Sequence, residues 1–445
     1  MTKSSKLPRP YHAYKESGAD YITLLPSHWK TERAKWLFTK EERPVRVRDE
    51  VVTCFRDGQV TLRRLRRTEG FTNALQEHGY QGIRKGDLVI HAMDAFAGAI
   101  GVSEADGKSS PVYSACTPKN PELVNSKYYA YFMRDLALSG YLLSLAKGIR
   151  ERSTDFRFKD FAVLELPLPP VAEQKAIVNF LDRKSSQIDK AIRVKEQQIT
   201  LLKERKQLLI QNAVIRGLNP EAPTRDSGVE WIGKIPAHWN IKANRALFRE
   251  RVEQGRDGLP LLSVSIHSGV SEEEVSDEEN IRGRVKIADK SKYNLVCPGD
   301  IAFNMMRAWQ GGIGEVRKQG MVSPAYIIAI PSPEVLPKFF EYQYRTPIFI
   351  QQMDRHSKGI TDFRKRLYWD GFKQLMTLVP PIAEQRTIIE HIDTELARQD
   401  KSAILLDQQI AKLKEYKATL SNSAVTGKIK VPGVMEPHGK EEALA

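Results

Sequence analysis

Two short patterns in the chain have the residue types of catalytic sites, but each departs from the spacing or composition that its chemistry needs. A phosphate-binding loop requires four residues between its glycines, whereas five residues separate Gly101 from Gly107-Lys108-Ser109. Two carboxylates that could belong to a nuclease, Asp300 and Glu315, are followed by Arg317 where such sites prefer lysine. The Asn/Asp-Pro-Pro-aromatic tetrapeptide of amino-methyltransferases is absent. The sequence therefore predicts neither catalytic residues nor a metal site in this chain.

Basic side chains that follow two similar Lys-Gly-Ile turns are stronger candidates for function. The glycine of each turn lets a binding partner approach the backbone closely. Arginine and lysine side chains contact phosphates and the edges of guanine. The candidate nucleic-acid-binding residues are Lys147, Arg150, Arg152 and Arg157 around the first turn, and Lys358, Arg364, Lys365 and Arg366 around the second. A solvated run of charge without a partner remains the alternative for both loops.

Four further residues are candidates for the same role. Arg63 and Arg64 open a basic cluster that occurs once in the chain. Asn304 and Arg307 follow an apolar segment, at the places that His91 and Asp94 occupy in an earlier, similar segment. Different polar residues on a shared scaffold are expected of two readers of different sequences, although ordinary sequence drift would look the same.

The charge of the whole chain favours a polyanionic partner, with double-stranded DNA as the prediction. Lys and Arg number 69 against 55 Asp and Glu, so the formal net charge is +14 and the pI is near 9.4. The three cysteines are far apart and form no Cys-x-x-Cys pair, which argues against a disulfide framework and a zinc site. No apolar run approaches the roughly 20 residues of a membrane span. We therefore expect a reduced, cytoplasmic protein.

The chain also contains an internal repeat. Three segments return in the same order: residues 16–38 as 226–248, residues 86–113 as 299–326, and residues 169–174 as 380–385. The offsets of 210, 213 and 211 residues differ little, which indicates a duplicated unit with small insertions. The two halves are therefore expected to have the same function, each on its own target.

Each half begins with a mixed pattern of short strands and helices. Apolar runs predict strands at 88–90, 112–115, 301–303 and 326–330, and aromatic segments predict helices at 127–131 and 338–342. We expect these aromatic side chains to lie in a core. Each half thus predicts a compact mixed α/β unit of about 160 residues, within the usual size of a domain.

A long helix follows each unit. No glycine or proline occurs from Val171 to Ile215, and apolar residues recur there at the seven-residue spacing of a coiled coil, as they do from Ile392 to Leu420. The double prolines before the helices, with Glu173 and Glu384 in the first turns, are typical of helix starts. Polar residues interrupt the apolar seams at Lys195, Lys206, Gln399 and Lys417, where they are expected to fix register.

The connections between these elements predict how the helices run. Because the linker from Gly217 to Arg225 is short, the second helix can pack on the first only by running antiparallel to it. A helix of about 45 residues is about 65 Å long, close to two turns of B-DNA. Two diverged readers spaced in this way predict a split, asymmetric DNA target with an unread spacer.

Two globular units, each closed by a Pro-Pro-x-x-Glu-Gln element and a long heptad helix, resemble the specificity subunits of type I restriction-modification systems. The resemblance spans nearly the whole chain. It rests on the doubled elements at Pro169 to Gln174 and Pro380 to Gln385, on the Gly-Asp turns at Gly86 and Gly299, and on the Lys-Gly-Ile loops.

The resemblance implies a division of labour within a larger complex. The globular units would be target recognition domains that each read one part of a bipartite site, while the helices space them and dock two methyltransferase subunits. Motor and nuclease subunits would join the assembly. S-adenosylmethionine, ATP and Mg²⁺ would then belong to the partners, and this chain would be non-catalytic. The residues expected to have a structural or partner-docking role are Pro170, Glu173, Gln174, Pro381, Glu384 and Gln385.

The predicted fold is α+β, with two mixed α/β target recognition domains in pseudo-two-fold arrangement, separated by two long helices forming an antiparallel coiled coil. The predicted parts are a recognition domain at 1–168, a spacer helix at 169–216, a linker at 217–225, a second recognition domain at 226–379, a second spacer helix at 380–427 and a mobile tail at 428–445. Two alternatives remain: a stand-alone DNA-binding regulator or architectural protein, and a nuclease or methyltransferase in its own right.

Overall fold

The computed structural model describes residues 9–66, 78–145, 155–272, 292–359 and 365–436. The candidate residues Lys147, Arg150, Arg152 and Arg364 lie outside the described residues. The chain divides into two compact units, of which the first comprises Met1–Lys195 and Gln408–Ala445 and the second comprises Glu196–Asp407.

The described part of the first unit consists of short strands and helices together with one end of each long helix. Its strands are β1 (Tyr14–Ala19), β2 (Ile22–Pro26), β3 (Lys30–Arg33), β4 (Phe38–Glu41), β5 (Val52–Cys54), β6 (Val60–Leu62), β7 (Gln81–Ile83), β8 (Leu88–His91), β9 (Ile100–Val102), β10 (Gly107–Ser109), β11 (Tyr113–Pro118) and β12 (Glu165–Leu168). Its helices are α1 (Ala34–Leu37), α2 (Ser126–Leu138), α3 (Tyr141–Leu145), α4 (Phe158–Ala162) and the part of α5 (Val171–Arg216) that ends at Lys195. An antiparallel sheet in the order β4-β11-β8-β9 lies at its centre.

The described part of the second unit repeats this plan. Its strands are β13 (Thr224–Asp226), β14 (Lys234–Pro236), β15 (Asn240–Ala243), β16 (Phe248–Glu250), β17 (Leu262–Ser265), β18 (Gly269–Glu272), β19 (Asn294–Val296), β20 (Ile301–Asn304), β21 (Ile313–Glu315), β22 (Gly320–Val322), β23 (Tyr326–Pro331) and β24 (Met376–Val379). Its helices are α6 (Asn244–Leu247), α7 (Pro337–Tyr344), α8 (Pro347–Arg355), α9 (Trp369–Phe372) and parts of α5 and of α10 (Ile382–Val425). The central sheet has the order β16-β23-β20-β21.

One of the two inner strands of each sheet, β8 or β20, is apolar on both sides because both of its faces are covered. In β8, Leu88 and Ile90 point into the main core of the first unit, while Val89 points into a smaller cluster on the other face. In β20, Ile301 and Phe303 lie in one core and Ala302 in the other. A continuous apolar run, with no alternation, is the expected sequence of such a strand.

Within each unit, the segments of α5 and α10 run antiparallel. In the first unit, Lys195 donates to Gln409 and Lys417 forms an ion pair with Asp189 at 2.7 Å. In the second unit, Lys206 pairs with Asp400 at 3.0 Å. The lysines that interrupt the apolar seams thus bond across the helix pair. The α+β class with long antiparallel helices is confirmed by these contacts and by the structural relatives reported below.

The chain end after α10 packs on the first unit. The backbone N–H of Lys430 donates to the carbonyl of Arg9, and Lys430 forms an ion pair with Glu436. Val431 is buried in the main core. The expectation of a mobile tail from residue 428 therefore does not hold for 428–436, because an apolar side chain anchors this segment, while 437–445 lie outside the described residues.

A close backbone approach explains the repeated Ile-Gly pair of β9 and β21. A Cβ atom on Gly101 would lie 1.9 Å from the carbonyl oxygen of Gly58, in the turn between β5 and β6. A Cβ atom on Gly314 would lie 2.9 Å from the backbone nitrogen of Val270. Each sheet thus needs glycine where a neighbouring hairpin crosses it.

Gly101→Ala is accordingly expected to destabilise the first unit by about 2 kcal/mol, the usual size of an overpacking penalty. The clash is with backbone, which cannot rotate away as a side chain can. Urea unfolding followed by circular dichroism measures the effect. A loss below about 0.5 kcal/mol, typical of a neutral surface change, would show that the Gly58 turn moves aside freely.

Candidate nucleic-acid interface

The turn that follows β8 in the first unit and the turn that follows β20 in the second are held by the same backbone hydrogen bonds. In the first unit, the backbone N–H of Ala92 donates to Val112, and the carbonyl of Ala92 accepts from Phe156 at 3.1 Å. In the second, the N–H of Met305 donates to Ala325, and its carbonyl accepts from Leu367 at 2.9 Å. Each turn is thereby joined to the segment before the neighbouring strand of the sheet, β11 or β23, and to the end of the basic loop. We call these surfaces the first rim (residues 91–99 and 155–159) and the second rim (residues 304–312, 358–359 and 365–370).

The second rim brings several predicted residues together. The Lys365 ammonium lies 2.7 Å from a carboxylate oxygen of Asp354 and 5.0 Å from the ring centre of Trp309. Lys358 and Arg366 form reciprocal backbone hydrogen bonds of 2.8 Å that close the base of the loop. The Lys358 side chain is exposed, and the structure records no ion pair for it within the described residues.

Asn304 and Arg307 have different roles within this rim. Asn304 is buried, and its Oδ1 accepts from the backbone N–H of Met306 at 3.0 Å, so this side chain holds the turn. Arg307 is exposed and donates to Gln310 at 2.9 Å. Met306, also exposed, lies between them. The structure therefore presents Arg307 to solvent as a candidate contact and makes Asn304 a support for it.

The first rim has a different set of side chains on the same backbone. Arg157 is exposed and donates to Asp155 at 2.5 Å. The His91 ring lies 4.5 Å from that of Tyr113, and burial lowers its pKa, which favours the neutral imidazole at pH 7. Asp94 forms an ion pair of 2.7 Å with Arg56, which brings the β5–β6 hairpin against this rim.

The basic cluster that begins at Arg63 directly follows β6, in a short 3-10 turn at the end of the β5–β6 hairpin. Arg63 donates from Nε to Thr53 Oγ1 at 3.0 Å, and Arg64 pairs with Glu50 at 2.6 Å. The side chains of Arg64 and Glu50 are both more than half exposed, so their ion pair adds little stability. Arg64 can therefore exchange Glu50 for another anion. These two arginines remain predicted contacts on a surface that is connected to the first rim through Arg56.

The glutamines of the Pro-Pro-x-x-Glu-Gln elements form identical internal joints. Gln174 accepts from the N–H of Asn125 and donates to the carbonyls of Leu123 and Pro169, at 2.8–2.9 Å. Gln385 accepts from the N–H of Leu336 and donates to the carbonyls of Glu334 and Pro380, also at 2.8–2.9 Å. Both glutamines are fully buried.

The glutamates that precede these glutamines also bond to side chains of the unit from which each helix starts. Glu173 is buried, accepts from the hydroxyl of Tyr11 and lies 2.9 Å from His28 Nε2. Glu384 contacts His238 at 2.7 Å and accepts from the indole N–H of Trp239 at 3.0 Å. The two remaining members of this predicted set, Pro170 and Pro381, are exposed at the starts of α5 and α10. They are therefore the members placed where another protein can reach them.

Sequence reasoning did not find the arginines that hold the two Gly-Asp turns. Asp87 is buried against the guanidinium of Arg43, with its closest oxygen at 2.5 Å. Asp300 is buried against Arg251, at 2.9 and 3.1 Å. Each arginine follows the edge strand of its sheet. This repeat is hard to see in the sequence because the number of residues between strand and arginine differs between the halves. The geometry makes Asp300 a structural anion, without the open carboxylate that a nuclease site needs.

Within the described residues, no cluster of three or more His, Cys, Asp or Glu side chains could hold a metal ion. The part of the chain that the structure covers also contains no helix that is both long and apolar enough to span a membrane.

Two curated relatives in Escherichia coli are similar to the chain over most of its length. Identity is 27% over 335 residues to the specificity subunit of the type I restriction enzyme EcoBI, covering 69% of this chain and 67% of that protein. Identity is 23% over 334 residues to the EcoKI specificity subunit of strain K12, covering 71% of this chain and 68% of that protein. No family model matches the chain.

Two solved structures share the fold. The HsdS subunit from Thermoanaerobacter tengcongensis has a TM-score of 0.54 at 15% identity, covering 91% of this chain and 98% of that chain. A chain from a structure on complex assembly and conformational transition of the type I R-M system has a TM-score of 0.61 at 15% identity, covering 91% and 99%.

Proposed function

We propose that the chain, which is similar in sequence to type I restriction-modification specificity subunits and shares their fold, is such a subunit and reads a bipartite, asymmetric DNA target. Each unit reads one half-site through its rim. The chain is not itself an enzyme, and it recruits methyltransferase subunits through its long helices. S-adenosylmethionine, ATP and Mg²⁺ bind to methyltransferase, motor and nuclease partners.

One observation carries this proposal: the two rims have the same backbone and different side chains. The hydrogen bonds of Ala92 are repeated by Met305, so the frame is the same in both units. The polar groups on that frame differ: the first rim has the half-buried Asp94 and the exposed Arg157 where the second has the exposed Arg307 and Tyr368. Base edges are distinguished by the donors and acceptors that reach them. Two frames with different polar groups therefore suit two different half-sites.

The positive charge of the chain supports DNA as the ligand. Phosphate contacts supply most of the affinity of proteins for DNA, and base contacts supply the sequence preference. Exposed cations lie at both rims, with Arg157 in the first and Lys358 and Arg307 in the second. A rim with both kinds of group can position a duplex and read it.

Sequencing of modified bases tests the proposal directly. Genomic DNA from a host that carries this gene and its partner genes is expected to contain methylated bases in one split motif with two unlike halves. The same host without this gene is expected to lack that motif. Methylation at a single continuous motif, or none that depends on this gene, would contradict the proposal.

Copurification separates this function from that of a stand-alone DNA-binding regulator. The tagged chain, expressed with its chromosomal neighbours, is expected to bring down a methyltransferase subunit in stable stoichiometry. A chain that binds DNA but remains alone in that experiment would favour the regulator. A chain that methylates or cuts DNA without partners would instead be an enzyme in its own right.

A further inference from the structure

An open groove in the first unit lies between the edge strand β4, which contributes Lys40, and the first rim, which forms most of its border. It lies between β4 and α4 and is bordered by Lys40, Ser114, Arg157 and Lys159. Lys40 lies on the outer strand of the central sheet, opposite Cys116 of β11. Lys159 lies in the first turn of α4. Both lysine side chains are exposed, so their charges face solvent across the groove.

The charged groups that border this groove are mostly positive. Lys40, Arg157 and Lys159 are cations, and Asp155 is the one anion among the bordering residues that the structure describes. Asp155 pairs with Arg157, and Lys40 has an exposed partner, Glu42, at 3.0 Å. Exposed pairs of this kind are weak and can be exchanged for phosphate. The structure records no ion pair for Lys159 within the described residues.

The same place in the second unit can be identified from the strand register. Phe38 faces Pro118 across the β4–β11 ladder, as Phe248 faces Pro331 across β16–β23. Two residues further along each edge strand, the counterpart of Lys40 is therefore Glu250. The buried Phe161 of α4 and Phe372 of α9 occupy matching positions. The counterpart of Lys159 is therefore Asp370.

Both lysines of the first groove are thus replaced by carboxylates in the second unit. Partial burial and, to a smaller extent, the charge of Asp370 raise the pKa of Glu250, and the charge of Lys373 acts in the opposite direction. Tyr368 stands in place of Arg157, and Arg366 in place of Asp155. These four positions of the second unit therefore carry two anions and one cation, where the first unit has three cations and one anion. Lys373 pairs with Asp370 at 2.7 Å, as Glu42 pairs with Lys40 in the first unit.

We propose that the edge-strand groove of the first unit binds the phosphate backbone of DNA, and that the matching groove of the second unit does not. The inference rests on the proposed function and adds that the two units hold DNA unequally. A polyanion fits this groove better than a small anion, because the groove is open and its charges are exposed lysines on flexible stems. The two carboxylates of the second groove would repel a phosphate in the same position.

Salt dependence of DNA binding measures this asymmetry without knowledge of the target sequence. The purified full chain is titrated onto a duplex of arbitrary sequence between 50 and 200 mM salt. The slope of log affinity against log salt is negative. Its magnitude, called the slope below, falls by about 0.9 for each lost phosphate contact. Replacing Lys40→Gln and Lys159→Gln together is expected to lower the slope by about 1.8, so that the affinity ratio across this salt range shrinks by about tenfold.

Matched variants control for total charge. Lys412→Gln with Lys414→Gln removes the same charge from exposed positions on α10 in the same unit, and is expected to leave the slope within about 0.5 of the wild type, less than one phosphate contact. Glu250→Lys with Asp370→Lys gives the second unit the cations of the first, and is expected to raise the slope by about 1.8.

The outcomes distinguish a failure of the groove proposal from a failure of the proposed function as a DNA-reading subunit. If the wild-type chain shows no salt-dependent affinity for DNA, the proposed function fails. If the wild type binds and the Lys40/Lys159 pair behaves like the Lys412/Lys414 pair, the groove inference fails while the function stands. If both lysine pairs lower the slope equally, the effect is one of net charge, and the groove has no special role.

Discussion

Asp300→Ala is expected to lower the free energy of unfolding of the second unit by about 3 kcal/mol, the lower part of the range for breaking a buried ion pair. Asp300 is buried and accepts hydrogen bonds from Arg251 and from the backbone N–H of Cys297 at 2.8 Å. Its bonds raise the pKa of the Arg251 guanidinium, which stays charged when its partner is removed. Glu253 remains beside Arg251 at 2.5 Å, which keeps the loss from being larger.

Urea unfolding with peptide-resolved hydrogen exchange measures this loss and shows where it falls. Asp257→Ala, an exposed aspartate of the same unit, is the control and is expected to cost under about 0.5 kcal/mol. Removing both charges with Arg251→Met and Asp300→Leu is expected to restore much of the stability, because no buried charge is then left unpaired. If Asp300→Ala behaves like Asp257→Ala, the turn does not depend on this pair.

Gln385→Leu is expected to cost the second unit about 3 kcal/mol, and Gln174→Leu the same in the first. Leucine has a similar size but neither donor nor acceptor. The N–H of Leu336 and the carbonyls of Glu334 and Pro380 would lose their partner in a buried site. A buried polar group left unsatisfied costs about 1–3 kcal/mol, and some of these groups can recruit water.

Chemical denaturation of both variants measures this prediction. Gln187→Leu, at an exposed position on α5, is the matched control and is expected to change stability by less than about 0.5 kcal/mol. Because the two joints have the same hydrogen bonds, the two losses are expected to agree within about 1 kcal/mol, given the context dependence of such bonds. A loss from Gln385→Leu no greater than the control would show that the helix start is held by apolar packing alone.

The strands, the long helices and the resemblance to a known family were accessible from the sequence because they depend on local pattern. The runs at 88–90 and 301–303 lie within β8 and β20, and the aromatic segments lie within α2 and α7, with Tyr128 and Phe339 fully buried. The uninterrupted stretch from Val171 is helix α5. The comparisons confirm the resemblance to type I specificity subunits that the doubled motifs indicated.

The partners of polar residues were not accessible, because they come from distant parts of the chain. The sequence placed Glu173 at a helix start, but not its bonds to Tyr11 and His28, which lie more than a hundred residues away. It grouped Asn304 with Arg307, although the fold buries one side chain and exposes the other. The base-reading residues stay predictions for the same reason.

The reversal of charge between the two edge-strand grooves was also hidden in the sequence. Lys40 and Lys159 are separated by more than a hundred residues, and their counterparts Glu250 and Asp370 lie outside the repeated motifs. Only the ladder register and the placement of α4 and α9 make them comparable. The divergence of the two copies is therefore visible at residues that are close in the fold but distant in the sequence.

The division of the chain into units has a consequence for how the protein is made. The second unit is a continuous stretch, Glu196–Asp407, and can close as soon as that stretch has left the ribosome. The first unit cannot, since Leu420, Val425 and Val431 belong to its main core and the hydroxyl of Tyr128 donates to the carbonyl of Val425. The half that is synthesised first is therefore the half that is finished last, because its apolar core lacks the side chains of α10 and of Val431 until those residues have been made.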